Sequence, residues 1–449
     1  MRAGVSGIDI TPAGSVWMDG MIRTHRSEGV HDRLRACALV LAGDESLDDA
    51  VALVSVDVCT LTTGDVHKAK AEVTAQTGIL ADRVIIAATH THSGPATVGY
   101  FNPAESDYTS DLISKIVRIV REAAGNLRPA AAACGSGREN TISHYRRLLA
   151  DDGHVVMNWE PYPAEHIVGP LGEPDPEVGA LKIVRANDPS ELICVLFNHA
   201  GHPNVMSGDN YLLSGDYPGE AARLLEERFG TAALFFNGAQ GTVDIDGLKD
   251  RDWEGVDRIG RALADAVAGI VEGLHPDRES GIRIASVNYL LPARQITPDE
   301  LSWADEVISC SGGEVQALPD GVGDDYKANL YKRLYLQQNE DIPAEQVCFA
   351  IGDTAFISFP GELYTEIGMH IKATSPFKHT YILGLANGTV GYVPTRKAIA
   401  EGGYAEDTRY VDASAEDVVV QQSLALLNKV FRCTSEGENS QEKEREERA

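Results

Sequence analysis

The stretch RVIIAATHTHSGP (residues 83–95) joins an apolar segment to a polar turn. Its first part is apolar and β-branched, which predicts a buried strand. His90 and His92 follow where that strand ends, and side chains two residues apart in an extended chain point to the same side. Both imidazoles therefore face one small volume. Such a pair is either hydrogen-bonded in the core or part of a metal or catalytic site, because imidazole is the commonest metal ligand and general acid–base group.

The composition narrows the class of partner. With 449 residues, 43% hydrophobic and 24% charged, the chain is typical of a folded, soluble protein. A formal net charge of −28 argues against nucleic acid and anionic membranes, which bind basic surfaces. We see no apolar run of the ~20 residues that a membrane span needs and no signal-peptide segment. We expect a small-molecule substrate and no membrane anchor; the sequence leaves a homo-oligomer open.

The cysteines indicate a reducing compartment. There are seven of them, none in a CxxC pair, and most lie in apolar, strand-like runs. Buried free thiols explain this pattern better than a disulfide framework. We therefore expect a cytoplasmic protein without a cysteine-based zinc site.

Hydrophobic periodicity predicts alternating strands and helices. Strands are expected at 37–41, 50–57, 84–86, 181–184, 192–197, 233–236, 282–292, 347–351, 354–358 and 381–384, and helices at 64–77, 107–124, 218–229, 254–274, 363–373 and 414–431. This order predicts an α/β fold with layered mixed β-sheets and surrounding helices. A two-residue turn at 352–353 predicts a hairpin, which excludes a purely parallel sheet.

The domain organisation is simple. We find no linker that divides residues 1–433, which are expected to form a single domain. The polar, glycine-interrupted region 298–345 is interpreted as an insertion or lid. Residues 434–449 are charged and have no apolar residue to anchor them, so we expect a disordered tail.

Other predicted strands also end in polar turns. They are HAGHP (199–203), NGAQGTVD (237–244), PGE (360–362) and GTVGYVPT (388–395). Loops at strand ends often carry function on a rigid scaffold. Histidines from two such ends and a carboxylate are the ligand types of a catalytic zinc site with an open position. Their spacing leaves open whether they meet.

A basic loop at residues 23–33 opposes the sign of the overall charge. It is either a solvated loop or a rim that contacts a polar or anionic substrate. Under the second reading, His31 is a candidate substrate-binding residue.

Together these motifs resemble the neutral, non-lysosomal ceramidases and their bacterial relatives. The resemblance runs from AGVSGIDITP (3–12) to about Tyr404, and THTHSGP (89–95) is its most specific string. It implies a ceramidase-like catalytic domain with a Zn²⁺ site of two histidines, a glutamate and a tyrosine. The matching positions are His90, His202, Glu362 and Tyr392.

The resemblance also implies roles for residues around the metal. His92 matches a histidine that is not a ligand, and its place beside His90 suits proton transfer. Arg146 falls where the family has an arginine, and it could hold a substrate carbonyl or carboxylate. The backbone near Gly94 and the side chain of Arg147 are further candidates for substrate binding, although Arg147 also suits a structural role.

One string departs from the family pattern. The ceramidases carry Gly-Asp-x-Ser-Pro with an active-site serine, whereas this chain has Thr242, Asp244 and Ile245 at those places. An ionised carboxylate cannot donate a hydrogen bond as a hydroxyl does. Asp244 is therefore a candidate general base, substrate contact or metal contact, or else a turn residue.

These observations predict a zinc-dependent hydrolase, a bacterial-type relative rather than a true ceramidase, that cleaves an amide or ester bond in a small polar substrate. The altered string and the lack of a visible lipid-docking surface disfavour a long-chain sphingolipid. Metal-assisted glycoside or lactone opening, a lyase step, and an inactive ligand-binding relative remain as alternatives.

Overall fold

The computed structural model describes residues 1–43, 47, 49–245, 251–277 and 281–447, with the side chains of 434–447 outside the description. The strands are β1 Arg2–Asp9, β2 Gly29–Val30, β3 Arg35–Ala42, β4 Val51–Val56, β5 Val84–Ala88, β6 Arg128–Arg138, β7 Ser143–Tyr145, β8 Arg147–Ala150, β9 Val155–Met157, β10 Ile167–Pro170, β11 Glu177–Arg185, β12 Asp188–His199, β13 Leu212–Leu213, β14 Ala232–Asn237, β15 Val243–Ile245, β16 Ile282–Leu291, β17 Ile342–Ile351, β18 Thr354–Ser358, β19 Glu362–Leu363, β20 His379–Leu383 and β21 Tyr392–Val393. The helices are α1 Thr63–Thr77, α2 Ser106–Gly125, α3 Asp216–Phe229, α4 Trp253–Gly273, α5 Pro298–Ser311, α6 Asp324–Gln337, α7 Thr365–Thr374, α8 Arg396–Glu401, α9 Tyr404–Thr408 and α10 Ala415–Glu447.

Two mixed sheets form the centre of the fold. The first has eight strands in the order β14-β12-β11-β6-β1-β3-β4-β5, and the second has four in the order β16-β17-β18-β20. Each sheet contains antiparallel and parallel pairs; β4 with β5, β12 with β14, and β18 with β20 are parallel. The hairpin of β17 and β18 lies where the turn at 352–353 predicts it. The predicted mixed α/β architecture is confirmed.

Alternation along the strands builds the layers. The even-numbered residues of β3 belong to an apolar cluster with α1 and α2, and its apolar odd-numbered residues belong to a cluster shared with β17, β18 and β20. In β17, Val347 and Phe349 face the first sheet, whereas Cys348 and Ala350 pack in a cluster with α7 and α10. Because strand side chains alternate between faces, the result is helices, sheet, sheet and helices.

Hydrogen bonds join strand ends from both sheets. Asn237, at the end of β14, donates through Nδ2 to the carbonyl of Thr89 just after β5, at 3.3 Å. Asn198 of β12 donates to the carbonyls of Phe236 and Ile382, at 2.7 and 2.9 Å. Ile382 belongs to β20 in the second sheet. The polar turns after β5, β12 and β14 are thereby held close to one another.

The region 298–345, interpreted from the sequence as an insertion or lid, contains two helices, α5 and α6. Thr297 and Glu300 form a capping box at the start of α5, and α5 and α6 enclose an apolar cluster that includes Ile22 and Phe101. The glycines of this region lie between the two helices. The sequence therefore shows two short helical patterns separated by glycines and not one continuous helical period. This region packs over the loop that precedes α2.

The last helix is longer than predicted. Its backbone continues beyond residue 431 to Glu447, through a segment rich in Glu, Lys, Gln and Arg, which are good helix formers. The predicted disorder of 434–449 falls on residues whose side chains, and at 448–449 whose backbone too, lie outside the described residues, so it stays a prediction. Among the described helices, none has the length and apolar composition needed to cross a membrane. The seven cysteines are free thiols, as expected.

The interface between the two sheets should dominate stability. Phe356 is fully buried there, with its ring stacked on Phe349 at 4.6 Å and tilted against Tyr381 at 5.2 Å. We expect Phe356→Ala to lower the free energy of unfolding by about 3–5 kcal/mol because it leaves a cavity between the sheets. Leu336→Ala, at a side chain that is 83% exposed, should change it by less than about 0.5 kcal/mol. Urea denaturation measures both; equal shifts would contradict this account of the core.

Candidate metal centre

Three buried side chains converge where strands of both sheets end. His90 follows β5 and His202 follows β12 of the first sheet, and Glu362 lies four residues after β18 of the second sheet, at the start of β19. The Nε2 atoms of His90 and His202 lie 3.3 and 3.1 Å from Glu362 Oε2. One ligand atom from each residue lies within 4.8 Å of the others. Sequence reasoning named all three residues, and the structure brings them together.

Backbone carbonyls orient both imidazoles. His90 Nδ1 lies 2.7 Å from the carbonyl oxygen of Cys59, and His202 Nδ1 lies 2.9 Å from that of Val243. Since a carbonyl oxygen can only accept, each Nδ1 carries the proton and donates it. Each Nε2 therefore presents a lone pair towards Glu362. His90 also has a positive φ of 77°, which is uncommon outside glycine and occurs often at functional sites.

The arrangement of the three ligand atoms suits a bound metal ion better than direct contact between the side chains. Two lone pairs and a carboxylate oxygen in a buried site repel unless a cation or proton lies between them. Tetrahedral zinc, with ligand bonds of about 2.0–2.1 Å, holds neighbouring ligand atoms about 3.3 Å apart. The observed separations of 3.1 and 3.3 Å are close to that value. The residues present thus fit a zinc ion.

Tyr392 completes this group. It is the register partner of Glu362 in the short parallel ladder of β19 and β21, and its hydroxyl lies 3.4 Å from His202 Nε2. Burial raises the pKa of Tyr392 well above its usual value; Glu362 raises it further and Arg146 opposes both. Tyr392 is therefore a neutral phenol here, and a cation beside it would favour its ionised form.

The charge states of Glu362 and His202 suit metal binding. Burial would raise the pKa of Glu362, but attraction to His90 and His202 when they carry a proton at Nε2 outweighs this effect and holds it well below its usual range. Burial lowers the pKa of His202, and the Arg146 guanidinium lowers it further. An ionised carboxylate and a neutral imidazole are the forms that bind a metal.

His92 lies beside these residues but is held differently. Its Nε2 is 3.4 Å from His90 Nε2, whereas its Nδ1 has no hydrogen-bond partner among the described residues. Burial lowers the pKa of His92 well below its usual value, and His90 and His202 lower it further. Gly20 packs against the ring, since a Cβ there would lie 2.4 Å from His92 Cγ. His92 is thus a fixed, neutral imidazole beside the candidate ligands, with its Nδ1 buried and its Nε2 next to His90.

Arg146 is buried next to His202 and Tyr392. Its Nη1 lies 3.3 Å from His202 Nε2, and its guanidinium carbon lies 5.2 Å from the centre of the Tyr392 ring. The Nε and Nη2 atoms have no hydrogen-bond partner within the described part of the chain. Arg146 can therefore orient these two residues, while its Nε and Nη2 atoms are buried and Arg146 is not among the residues that line the cavity leading to the candidate ligands.

A cavity of about 70 Å³ leads to the candidate metal ligands. Its polar floor includes His90, His92, Glu362 and Asp19. Six aromatic residues also line it: Tyr100, Phe101, Tyr326, Tyr392, Tyr404 and Tyr410. Tyr326 comes from α6, so that the helical region 298–345 supplies part of the wall.

Three other predicted residues are not gathered at the candidate metal ligands. The buried Arg147 side chain contacts Glu406 and Glu401, at 3.0 and 3.1 Å. His31 stacks on Trp253 at 3.7 Å, away from the cavity wall. Gly94 packs against Thr91 and Val58. These contacts indicate structural roles, and in the 23–33 loop it is Arg23 that comes near the site, through a 3.0 Å bond to the carbonyl of His92.

Asp244 is buried, but it contacts another group of residues. Its Oδ2 accepts a hydrogen bond from Asn158 at 3.2 Å and lies 4.0 Å from Arg251 Nη2. It is not among the residues that line the cavity. The preceding residue, Val243, contacts His202 through its backbone carbonyl, so this strand reaches the site through its backbone and not through the Asp244 side chain.

Sequence reasoning missed Asp19, Cys59 and the tyrosines contributed by the loops and α6. Their positions in the cavity depend on contacts between segments far apart in the chain. Asp19 had one local signal, a carboxylate in the apolar stretch VWMDGMI (16–22). Tyr100 and Tyr410 had none.

The chain is similar to proteins named neutral ceramidases in both sequence and structure. A family model described as neutral/alkaline non-lysosomal ceramidase, N-terminal, matches residues 1–243. The neutral ceramidase of Pseudomonas aeruginosa is 23% identical over 96% of this chain and 72% of its own length. Neutral ceramidase 2 of Arabidopsis thaliana is 30% identical over 50% of this chain and 30% of its own length. The crystal structure of the Pseudomonas aeruginosa neutral ceramidase superposes with a TM-score of 0.72 at 20% identity, covering 95% of this chain and 74% of that one.

The contact between Gly20 and His92 can be tested by adding one methyl group. Gly20 has a φ of +82°, and a Cβ would overlap the His92 ring. We expect Gly20→Ala to lower the free energy of unfolding by about 1–3 kcal/mol, through overpacking and backbone strain. Gly14→Ala is the matched control, because nothing lies within 4 Å of a Cβ at that position. Urea denaturation that finds the two variants equally stable would contradict the described packing.

Proposed function

Because this chain belongs to the neutral/alkaline non-lysosomal ceramidase family, we propose that it is a zinc-dependent hydrolase that cleaves an amide or ester bond in a small polar substrate. The observation that carries the proposal is the convergence of the His90 and His202 lone pairs on the Glu362 carboxylate, at 3.3 and 3.1 Å. The relatives are named neutral ceramidases, which supports a hydrolase of amide bonds.

His90, His202, Glu362 and Tyr392 would hold the ion. Zinc in such a site lowers the pKa of a bound water and polarises a carbonyl oxygen. The carbonyls of Cys59 and Val243 keep both imidazoles in the tautomer that this binding needs.

His92 is the proposed acid–base residue. It is neutral because burial lowers its pKa. It can therefore accept a proton at a ring nitrogen from the water that attacks the substrate carbonyl. It can then return that proton to the leaving amine or alcohol, which without it would leave as a poorly stabilised anion. The close packing of Gly20 against its ring supports this role, since proton transfer depends on a fixed distance between the ring nitrogen and the reacting atom.

Arg146 is the proposed positioning residue. Its Nη1 contact with His202 and its place over the Tyr392 ring hold both residues in orientation. Its Nε and Nη2 donors have no hydrogen-bond partner among the described residues, but they are buried and Arg146 does not line the cavity. They would bind a substrate carbonyl or carboxylate only if Tyr392 moved aside. Asp244 has no part in this scheme, because its contacts are with Asn158 and Arg251.

A screen of the zinc-loaded protein tests the reaction class. It should include short N-acyl amines, esters and N-acyl amino sugars, with a long-chain fluorescent ceramide for comparison. We expect hydrolysis of the short compounds, since the cavity floor is polar and carries a second carboxylate. Faster hydrolysis of the ceramide would overturn the proposed substrate size, and no hydrolysis of any compound would overturn the proposed reaction.

Removal of His90 or His202 should weaken metal binding strongly. We expect wild-type protein to carry about one zinc ion per chain, and His90→Ala and His202→Ala to bind zinc at least about 100-fold more weakly, because each removes a direct ligand. Elemental analysis and competition with a chelating dye measure this. His166→Ala, at an exposed histidine paired with Asp151, is the control. Zinc retained by the double variant of His90 and His202 would sink the metal assignment.

Loss of His92 should separate chemistry from metal binding. We expect His92→Ala to keep its zinc content while kcat falls by about 10²–10⁴-fold, the usual contribution of a general acid–base group. The hydrolysis rate and the zinc content are measured on the same sample. Unchanged kcat would remove His92 from the mechanism, and loss of zinc would make it a ligand.

A further inference from the structure

Arg147 lies outside the cavity, and its buried guanidinium contacts residues 401–406. Its side chain is 2% exposed, and it is not among the residues that line the cavity. Nε lies 3.0 Å from Glu406 Oε1, and Nη2 lies 3.1 Å from Glu401 Oε2. Nη2 also donates to the carbonyl of Gly402 at 3.1 Å. One side chain thus contacts the end of α8, the turn that follows it and α9.

The same segment carries Tyr404, whose ring borders the cavity. Arg146, the residue before Arg147, has its guanidinium carbon 5.9 Å from the centre of that ring. Two contacts therefore join the same pair of segments. Arg146 contacts Tyr404 next to the candidate ligands, and Arg147 contacts Glu406 away from them. The second contact can set the geometry of the first without touching a substrate.

The position of Tyr404 depends on contacts from outside its own segment. Tyr404 begins α9, which is five residues long, and a helix of this length is not stable by itself in water. The turn before it holds Gly402 and Gly403 at φ values of +83° and +134°. Glycine adopts these values without strain but loses more conformational freedom than any other residue when it is ordered. The local sequence therefore does little to fix the ring of Tyr404.

An exposed and a buried ion pair hold α9. Lys327 lies 2.9 Å from Asp407, with side chains 22% and 41% exposed, and water weakens a pair of this kind. Arg147 and Glu406 are each 2% exposed, and Tyr364 also donates its hydroxyl to Glu406. Removing one partner of a buried pair leaves the other charge without a counterion, which is strongly unfavourable. The buried pair is thus the stronger constraint on α9.

We propose that Arg147 is a positioning residue that holds Tyr404 in the cavity wall, against Arg146, through its buried ion pair with Glu406. This inference rests on the proposed hydrolytic function, since it concerns the shape of the space in which a substrate would bind. Loss of the ion pair should move Tyr404 without loss of the metal, because the polar contacts of Arg147 are with residues 401–406 and not with a candidate ligand.

Trp159 provides a local probe of this arrangement. Its ring packs edge to face on Tyr404 at 5.5 Å, and the Arg146 guanidinium carbon lies 5.4 Å from its centre. In protein labelled with 5-fluorotryptophan, each tryptophan gives its own signal in the fluorine NMR spectrum, and Trp159→Phe identifies the signal of this ring. The other tryptophans, at positions 17, 253 and 303, are internal controls.

We expect Arg147→Met to shift the Trp159 signal more than the signals of the other tryptophans. Glu406→Gln breaks the same ion pair from the other segment, so it should also shift the Trp159 signal, and it decides alone if Arg147→Met does not fold. Phe356→Ala, at a ring buried between the sheets, is the control for a general loss of stability and should leave the signal in place. Lys327→Met, which removes the exposed ion pair of α9, should shift it less than either variant of the buried pair.

Kinetics and metal content show whether the displacement matters to the site. For Arg147→Met and Glu406→Gln we expect zinc affinity within about 3-fold of wild type and a KM at least about 5-fold higher, with a smaller change in kcat, because the cavity wall has moved and the candidate ligands have not. Arg147→Lys keeps the charge and should recover part of the change in KM. Phe356→Ala should keep the KM of wild type, since only its folded fraction is measured.

The NMR readout does not depend on turnover. A Trp159 signal that stays in place in both variants of the buried pair, or that shifts equally in Phe356→Ala, overturns the assignment of Arg147. A shifted signal with unchanged KM also overturns it, because Tyr404 would then have moved without effect on the site. If the signal shifts as expected but the wild-type protein hydrolyses no amide or ester, the proposed reaction fails and the placement of Tyr404 by Arg147 stands.

Discussion

The site depends on two backbone carbonyls more than on any side chain. The oxygens of Cys59 and Val243 take the Nδ1 protons of His90 and His202, and this choice of tautomer leaves both Nε2 lone pairs aimed at Glu362. Side chains reach this point from the turns after β5 and β12 and from β19 and β21, and hydrogen bonds of Asn198 and Asn237 join the corresponding strand ends. An electron-rich cluster of this kind is unfavourable by itself. A bound cation would attract all three groups, and it would thereby stabilise the contact between strand ends of the two sheets.

Strand alternation explains why much of the fold could be predicted. The core strands have two buried faces or one, and their apolar pattern is a direct consequence of the layers they separate. The hairpin at 352–353 was equally readable, since its turn is short. By contrast, α5 and α6 bury a narrow apolar stripe against Ile22 and Phe101, residues hundreds of positions away. No local pattern contains that contact, so the sequence indicated only a polar insertion.

The same limit divides the site residues. His90, His92, His202, Glu362 and Tyr392 each occur in a short string at a strand end, and those strings converge. Arg146 and Arg147 illustrate what a string cannot decide. They are neighbours in an extended segment, so one faces His202 and the other faces Glu406. In the string that departs from the ceramidase pattern, the Val243 backbone carbonyl accepts the His202 Nδ1 proton, whereas the Asp244 carboxylate contacts Asn158 and Arg251.

The cavity can be read as a balance of buried charge. Glu362 and Asp19 are two carboxylates on one floor, in a protein whose net charge is already −28. Burial raises the pKa of Asp19 to about 6, so its ionisation is costly but not prevented at neutral pH. A divalent cation near His90 would offset both carboxylates, because a metal ion is the largest local charge in its site.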